Sequence, residues 1–219
     1  MPSESLPPSE VEFASFLVYN PRPTHFSSEV SALSRRVRDA VKKETAQWAR
    51  TQRLGERMRA EIGNEVRERF LPANATLVPM PGHAPMKDPK SHWPARELCE
   101  AFVTAGLGAR WLALLSREVA VSKAAFSAAS ERPSATAHYD SMRAITDLTA
   151  GRVITVVDDV VTRGATMFAA VTRLREVMPH ATVRGFALIR TMSSDAITSV
   201  KEPCSGIIRL VSWGTQREP

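Results

Sequence analysis

The chain of 219 residues contains only two cysteines, which limits the ways in which its fold can be held together. Cys99 and Cys204 are too few and too far apart in the sequence to indicate a disulfide framework or a zinc-binding knuckle. A reducing cytoplasm is the simplest setting for such a chain. Because 43% of the residues are hydrophobic, we expect an apolar core, and not cross-links, to stabilise the fold.

Long apolar segments are also missing. No run approaches the roughly 20 residues that a membrane-spanning helix requires. The first residues, Met-Pro-Ser-Glu-Ser, do not follow the basic and then apolar plan of a secretory signal peptide. We therefore expect a cytoplasmic protein that makes no contact with a membrane.

Two large classes of active site find no support in the sequence. No Ser/His/Asp or Cys/His triad stands out, and the glycine turn at Gly164 lacks the Gly-Lys-Ser/Thr that ends a Walker A loop. There is no internal repeat either. These absences argue against a triad hydrolase and against a P-loop nucleotide hydrolase.

The net charge of +6 comes largely from basic residues between Arg35 and Arg69. One interpretation is a nucleic-acid surface. The favoured interpretation is a solvated helix face, because six acidic residues are interspersed, namely Asp39, Glu44, Glu56, Glu61, Glu65 and Glu68. Nucleic acid stays open as a partner but is not favoured.

The most informative segment is 153–166, Val-Ile-Thr-Val-Val-Asp-Asp-Val-Val-Thr-Arg-Gly-Ala-Thr. Val153 to Val157 reads as a strand that is buried on both faces, as in a parallel sheet. Asp158 and Asp159 then fall at its carboxyl end, where open α/β sheets bind ligands. Since neighbouring strand residues point to opposite faces, the chain must leave regular strand geometry if both carboxylates serve one ligand.

The turn that follows has the composition of an anion site. Gly164 permits a positive φ, Thr162 and Thr166 supply hydroxyl donors, and Arg163 supplies positive charge. A helix predicted from Thr166 or Met167 to just before Pro179 directs its amino terminus at this turn, which favours an anion. The alternative is an ordinary turn in which one aspartate caps the helix. It explains neither the second aspartate nor the Thr-Arg-Gly-Ala-Thr sequence.

This segment resembles the phosphoribosyl pyrophosphate (PRPP) signature of the type I phosphoribosyltransferase family. The signature is an apolar strand, two acidic residues, two apolar residues and Thr-x-Gly-x-Thr/Ser, and every position matches. Arg163 stands where threonine is common. A weaker similarity to the family's layout extends over 76–190. The spacing is similar to that of the competence-protein-like (ComF-like) branch, whose zinc-binding cysteine module is absent from this sequence.

The resemblance implies a role for each part of the site. Asp158 and Asp159 would be catalytic: they would hold the ribose hydroxyls and help to order Mg²⁺, itself bound mostly by substrate oxygens and water. The 5′-phosphate would bind to Thr162, Arg163, Gly164, Ala165 and Thr166. Pyrophosphate would bind to Met80, Pro81, Gly82 and His83, and to Lys123. A mobile catalytic loop at 127–141 would contribute Arg132 and His138, with Arg117 preceding it.

The resemblance also implies the fold: a type I phosphoribosyltransferase (Rossmann-like) core with a twisted, mainly parallel sheet flanked by helices. The alternation of strand and helix patterns independently favours a parallel α/β sheet. We expect an amino-terminal tail, strand and basic helices at 1–72, the core at 73–192 and a hood strand at 193–219. Predicted strands are 13–19, 76–80, 111–115, 119–121, 153–157, 183–189 and 207–213, and predicted helices are 27–48, 54–70 and 95–104.

The implied activity is transfer of the 5-phosphoribosyl group from PRPP to a nitrogen nucleophile, a nucleobase or similar, in a Mg²⁺-dependent reaction that releases pyrophosphate. The acceptor is not named by the sequence. A homodimer is expected because relatives commonly form one. Two alternatives on the same fold stay open: a non-catalytic PRPP or nucleotide sensor, and a nucleic-acid-associated protein.

Overall fold

The computed structural model of the chain describes residues 10–21, 29–42, 47–88, 91–122, 133–192, 197–212 and 214–219. It contains nine strands and six α-helices within these ranges. In chain order they are β1 Glu10–Tyr19, α1 Glu29–Lys42, α2 Gln47–Glu61, α3 Asn64–Phe70, β2 Thr76–Pro79, α4 Pro94–Thr104, β3 Arg110–Trp111, β4 Leu115–Arg117, α5 Ala135–Asp140, β5 Met142–Ala144, β6 Val153–Val161, α6 Ala165–Val177, β7 Thr182–Thr191, β8 Lys201–Val211 and β9 Gly214–Glu218.

Seven strands form one sheet in the order β3-β2-β6-β7-β1-β8-β9. The pairs from β3 to β1 are parallel, whereas β8 and β9 are added antiparallel. The strands β4 and β5 form a separate two-stranded antiparallel ribbon. The prediction of an α/β fold with a mainly parallel sheet flanked by helices is confirmed at this level.

Apolar side chains pack into two clusters of buried residues. The cluster named here the α6 core contains Phe13, Val156 and Met167, together with most of the apolar face of α6. The cluster named here the α4 core contains Met58, Phe102 and Phe186 with side chains of α2, α3 and α4. Because the strands of the parallel part contribute to both clusters, the sheet lies between two apolar layers.

Both ends of the described chain join the central sheet. β1 lies between β7 and β8, so the segment 1–72 contributes a strand to the same sheet as 73–192. The segment 193–219 contributes the β8–β9 hairpin. The division of the chain at residues 72 and 192 stays a prediction.

Several predicted elements differ from those observed, each for a local reason. The predicted strand 111–115 is split into β3 and β4, which belong to different sheets. The predicted helix 54–70 breaks before α3 at Gly63, which has a φ of 82°. The predicted loop 127–141 includes α5, whose N-cap Ser134 accepts a hydrogen bond from the Ala137 N–H. No strand forms at 119–121, and β9 was not predicted.

Within the described ranges, no helix combines the length and apolar character needed to cross a membrane.

Candidate functional site

The aspartate pair lies inside strand β6, which continues to Val161 and not only to the predicted end at Val157. Pairing with β7 continues across the pair, since Asp158 lies opposite Ala187 and Val160 opposite Ile189. Both aspartates are half-buried. The Asp159 N–H donates to Asp158 Oδ1 at 2.8 Å, so the carboxylate of Asp158 points toward the backbone of Asp159.

The valines before and after the aspartate pair do not follow the regular alternation of side chains between the two faces of the sheet. Val156 belongs to the α6 core and Val157 to the α4 core. Strict alternation would place Val160 with Val156, yet Val160 packs against the α4 core and Val161 belongs to the α6 core. A single shift at the aspartate pair accounts for this reversal. The residues that follow the pair therefore face the layers opposite to those that strict alternation predicts.

The turn after β6 depends on Gly164 for two separate reasons. Gly164 has a φ of 88° and is the N-cap of α6, a left-handed conformation that side chains disfavour. A Cβ at this position would also lie 2.6 Å from Ile208 Cδ1. The helix begins at Ala165, whereas the prediction was Thr166 or Met167, so its first N–H groups adjoin the turn. Thr162 and Arg163 are exposed, and Ala165 and Thr166 are half-buried.

The carboxyl-terminal hairpin braces this turn, which the sequence did not indicate. Arg217 of β9 donates from Nε to the Thr162 carbonyl at 2.8 Å and from Nη2 to the Thr191 carbonyl at 2.6 Å. No motif surrounds Arg217, and it lies 55 residues from Thr162 in the chain. Only the three-dimensional fold reveals the contact.

His138 of α5 contacts the first turn of α6. Its Nε2 lies 3.2 Å from Thr166 Oγ1, and the residue is only 6% exposed. Burial, followed by the charge of Arg117, lowers the pKa of His138 to about 4. The imidazole is therefore neutral at pH 7. A catalytic role for His138 must be one that an uncharged side chain can fill.

Arg117 links three parts of the site. It is 5% exposed and donates from Nε to the Gly82 carbonyl at 2.9 Å. Its Nη1 donates to Ser141 Oγ at 2.5 Å and to the His138 carbonyl at 3.3 Å. Burial lowers its pKa to about 10, while the negative charge of Asp158 acts in the opposite direction. Arg117 thus stays charged and connects the 80–83 loop to α5 within electrostatic reach of Asp158.

The predicted pyrophosphate loop begins beside the middle of β6, immediately before the aspartate pair. Pro79 pairs with Val157, and the Met80 N–H donates to the Val157 carbonyl at 2.8 Å. The Trp93 indole N–H donates to the Met80 carbonyl at 2.6 Å. Met80 and Pro81 are buried, whereas Gly82 and His83 are exposed. The two loops predicted to bind anions therefore end adjacent parallel strands.

Two predicted site residues cannot be placed against this geometry. Lys123 and Arg132 lie outside the described residues, and their roles stay predictions.

Among the described residues, no group of three or more His, Cys, Asp or Glu side chains is arranged to hold a metal ion. A dedicated protein cage for Mg²⁺ is therefore not present in this part of the chain. Mg²⁺ commonly takes one or two carboxylates and completes its shell with substrate phosphates and water. The half-buried Asp158 and Asp159 fit that kind of binding.

No family model matches this chain, and no curated protein matches it. The motif in 153–166 and the geometry around it are therefore the grounds for the function proposed below.

Proposed function

We propose that the chain is a phosphoribosyltransferase with a type I core, which transfers the 5-phosphoribosyl group of PRPP to a nitrogen nucleophile. One observation carries the proposal. Two adjacent carboxylates lie in the second half of β6, a glycine turn that opens a helix follows this strand, and an exposed glycine loop follows the neighbouring strand β2. A phosphorylated pentose with a second, diphosphate group needs this combination of acceptors and donors.

Each part of PRPP is assigned to the part of the site that offers it complementary charge or hydrogen-bonding groups. The turn 162–164 and the first N–H groups of α6 take the 5′-phosphate, because both present positive partial charge. Asp158 and Asp159 accept hydrogen bonds from the ribose hydroxyls. The loop 80–83, held by Arg117 through the Gly82 carbonyl, takes the pyrophosphate.

The reaction requires no protein nucleophile. The C1′–O bond to pyrophosphate breaks, its electron pair leaves with the pyrophosphate, and the acceptor nitrogen forms a bond to C1′ and then releases a proton to solvent. The two carboxylates favour the positive charge that develops on the ribose ring, and the two loops hold the reacting groups in line. Mg²⁺, when bound with the substrate, supplies charge neutralisation at the pyrophosphate oxygens.

In the sensor alternative, the aspartate pair and the turn 162–164 would bind PRPP without catalysing a reaction. Binding requires the turn and the aspartate pair, whereas turnover would also use two predicted cations, Arg132 of the mobile loop and Lys123 before it.

A screen for pyrophosphate release distinguishes the two. The purified chain is incubated with PRPP and Mg²⁺ and with purines, pyrimidines or simple amines in turn, and the released pyrophosphate is measured. Release that depends on one acceptor supports the enzyme. Binding of PRPP without release for any acceptor supports the sensor, and absence of both overturns the proposal.

A further inference from the structure

The β8–β9 hairpin contacts the turn 162–164 through two residues that lie opposite each other on its two strands. Ile208 of β8 and Arg217 of β9 are paired residues in the hairpin. Ile208 is fully buried and fills the space beside Gly164 that a Cβ would need. Arg217 donates to the Thr162 carbonyl at 2.8 Å. One cross-strand pair therefore contacts the beginning and the end of the turn.

The position of Arg217 is itself fixed from several sides. Its Nη2 donates to the Thr191 carbonyl at the end of β7, and its guanidinium lies 5.6 Å from the centre of the Phe13 ring. Burial lowers the pKa of Arg217, and the positive charge of Arg190 lowers it further. Its Nη1 is buried without a hydrogen-bond partner among the described residues. The guanidinium is therefore held in place by two backbone carbonyls and the Phe13 ring.

Holding the Thr162 carbonyl determines the direction of the next N–H. The peptide between Thr162 and Arg163 is planar and trans, since the described chain contains no cis peptide bond. In a trans peptide the C=O and the following N–H point in opposite directions. With the carbonyl bound to Arg217, the Arg163 N–H is directed away from the hairpin. The Arg163 N–H, a backbone donor of the turn, is thus oriented before a ligand binds.

We propose that Arg217 is a positioning residue for phosphate binding, which orients the Thr162–Arg163 peptide so that its N–H serves the anion. This inference rests on the proposed function, because it assigns the 5′-phosphate to the turn 162–164. It adds that the carboxyl-terminal hairpin, and not only the local motif, determines affinity for that phosphate.

The test compares ligands that use different loops. Calorimetry measures the affinity of the whole chain for ribose 5-phosphate, for PRPP with Mg²⁺ and for pyrophosphate with Mg²⁺. Arg217→Gln should weaken ribose 5-phosphate and PRPP by about 10-fold or more, the loss expected for one charge-assisted hydrogen bond and its preorganisation. Pyrophosphate affinity should change less than about twofold. Arg217→Lys, which keeps one donor, should show a smaller loss.

Arg209→Gln is the matched control, because Arg209 lies on the same hairpin and forms exposed ion pairs with Glu10 and Glu218. It should leave all three affinities unchanged. Wild-type affinity for ribose 5-phosphate in Arg217→Gln would overturn this inference and leave the proposed function standing. An equal loss for all three ligands would also overturn it, because it would show general damage. If the wild-type chain bound neither ribose 5-phosphate nor PRPP, the proposed function would fail as well.

Discussion

The two loops that end the adjacent strands β2 and β6 are built in different ways. Only 162–164 separates β6 from α6; Ile208 and Arg217 contact this turn, and His138 contacts Thr166 in the first turn of the helix that follows. Residues 80–93 separate β2 from α4, and this longer loop leaves Gly82 and His83 exposed. The first is held by packing and backbone conformation, and the second mainly by hydrogen bonds from Arg117 and Trp93.

Under the proposed function, this difference suits the two loops to different parts of the substrate. A turn that is held by packing and by a left-handed glycine suits a group that stays bound throughout a reaction, such as a 5′-phosphate. A loop held by a few polar contacts suits a group that must leave. Changes at the β6 turn should therefore affect stability and phosphate affinity together, whereas changes at Arg117 should alter the charge balance of the site.

The largest effect on stability is expected from Gly164→Ala. A side chain here costs about 1 kcal/mol for the positive φ and about 1–3 kcal/mol more for the clash with Ile208. Gly151→Ala is the control: Gly151 has a φ of 74°, but a Cβ there would meet no other part of the chain within 4 Å, so only the backbone cost applies. Urea unfolding measures both. Equal losses in the two variants would show that packing against Ile208 does not matter.

Arg117→Met is expected to have the next largest effect. It removes the Arg117 donor from the Gly82 carbonyl and from Ser141 Oγ, while the His138 carbonyl keeps its hydrogen bond from Ser141 Oγ, at a cost of about 1–3 kcal/mol in the free energy of unfolding. It should also raise the pKa of His138, because the charge of Arg117 lowers that pKa. Unfolding and NMR titration of His138 measure the two effects. Arg143→Met, an exposed change on the neighbouring strand β5, should produce neither.

A smaller effect should appear in the pH dependence of stability. The pKa of His138 is about 4 in the folded chain against an ordinary value of 6.5. As the pH falls below 6.5, the unfolded chain binds a proton first, so the free energy of unfolding should decrease until the pH approaches 4. His138→Gln should remove this part of the decrease. The check is urea unfolding at about pH 7 and about pH 5. Identical pH dependence in both proteins would contradict the buried, neutral state.

The local part of the site was accessible from the sequence. A run of β-branched residues, two aspartates and Gly164 are contiguous, and their strand, positive φ and helix start follow from local preferences. The parallel α/β class followed from the alternation of such segments. The role proposed for each residue stays a prediction.

The supporting contacts were not accessible, because they join distant parts of the chain. Arg217 and Thr162 meet only because β8 and β9 extend the sheet beyond β1. Arg117 meets Gly82 only because β4 leaves the main sheet to pair with β5. The short helix α5 was hidden by its small and polar composition, although Ser134 is a suitable N-cap. No short stretch of the sequence indicates these contacts between distant residues.

The most direct test of the central claim is calorimetric titration of PRPP with Mg²⁺ into the wild-type chain and into Asp158→Asn/Asp159→Asn. We predict that the wild type binds PRPP and that the double variant loses binding while its thermal unfolding is unchanged. Asp140→Asn, which alters an exposed carboxylate of α5, should bind as the wild type does. Equal affinity of the double variant and the wild type would contradict the claim that the aspartate pair and the following turn form one site for a phosphorylated pentose.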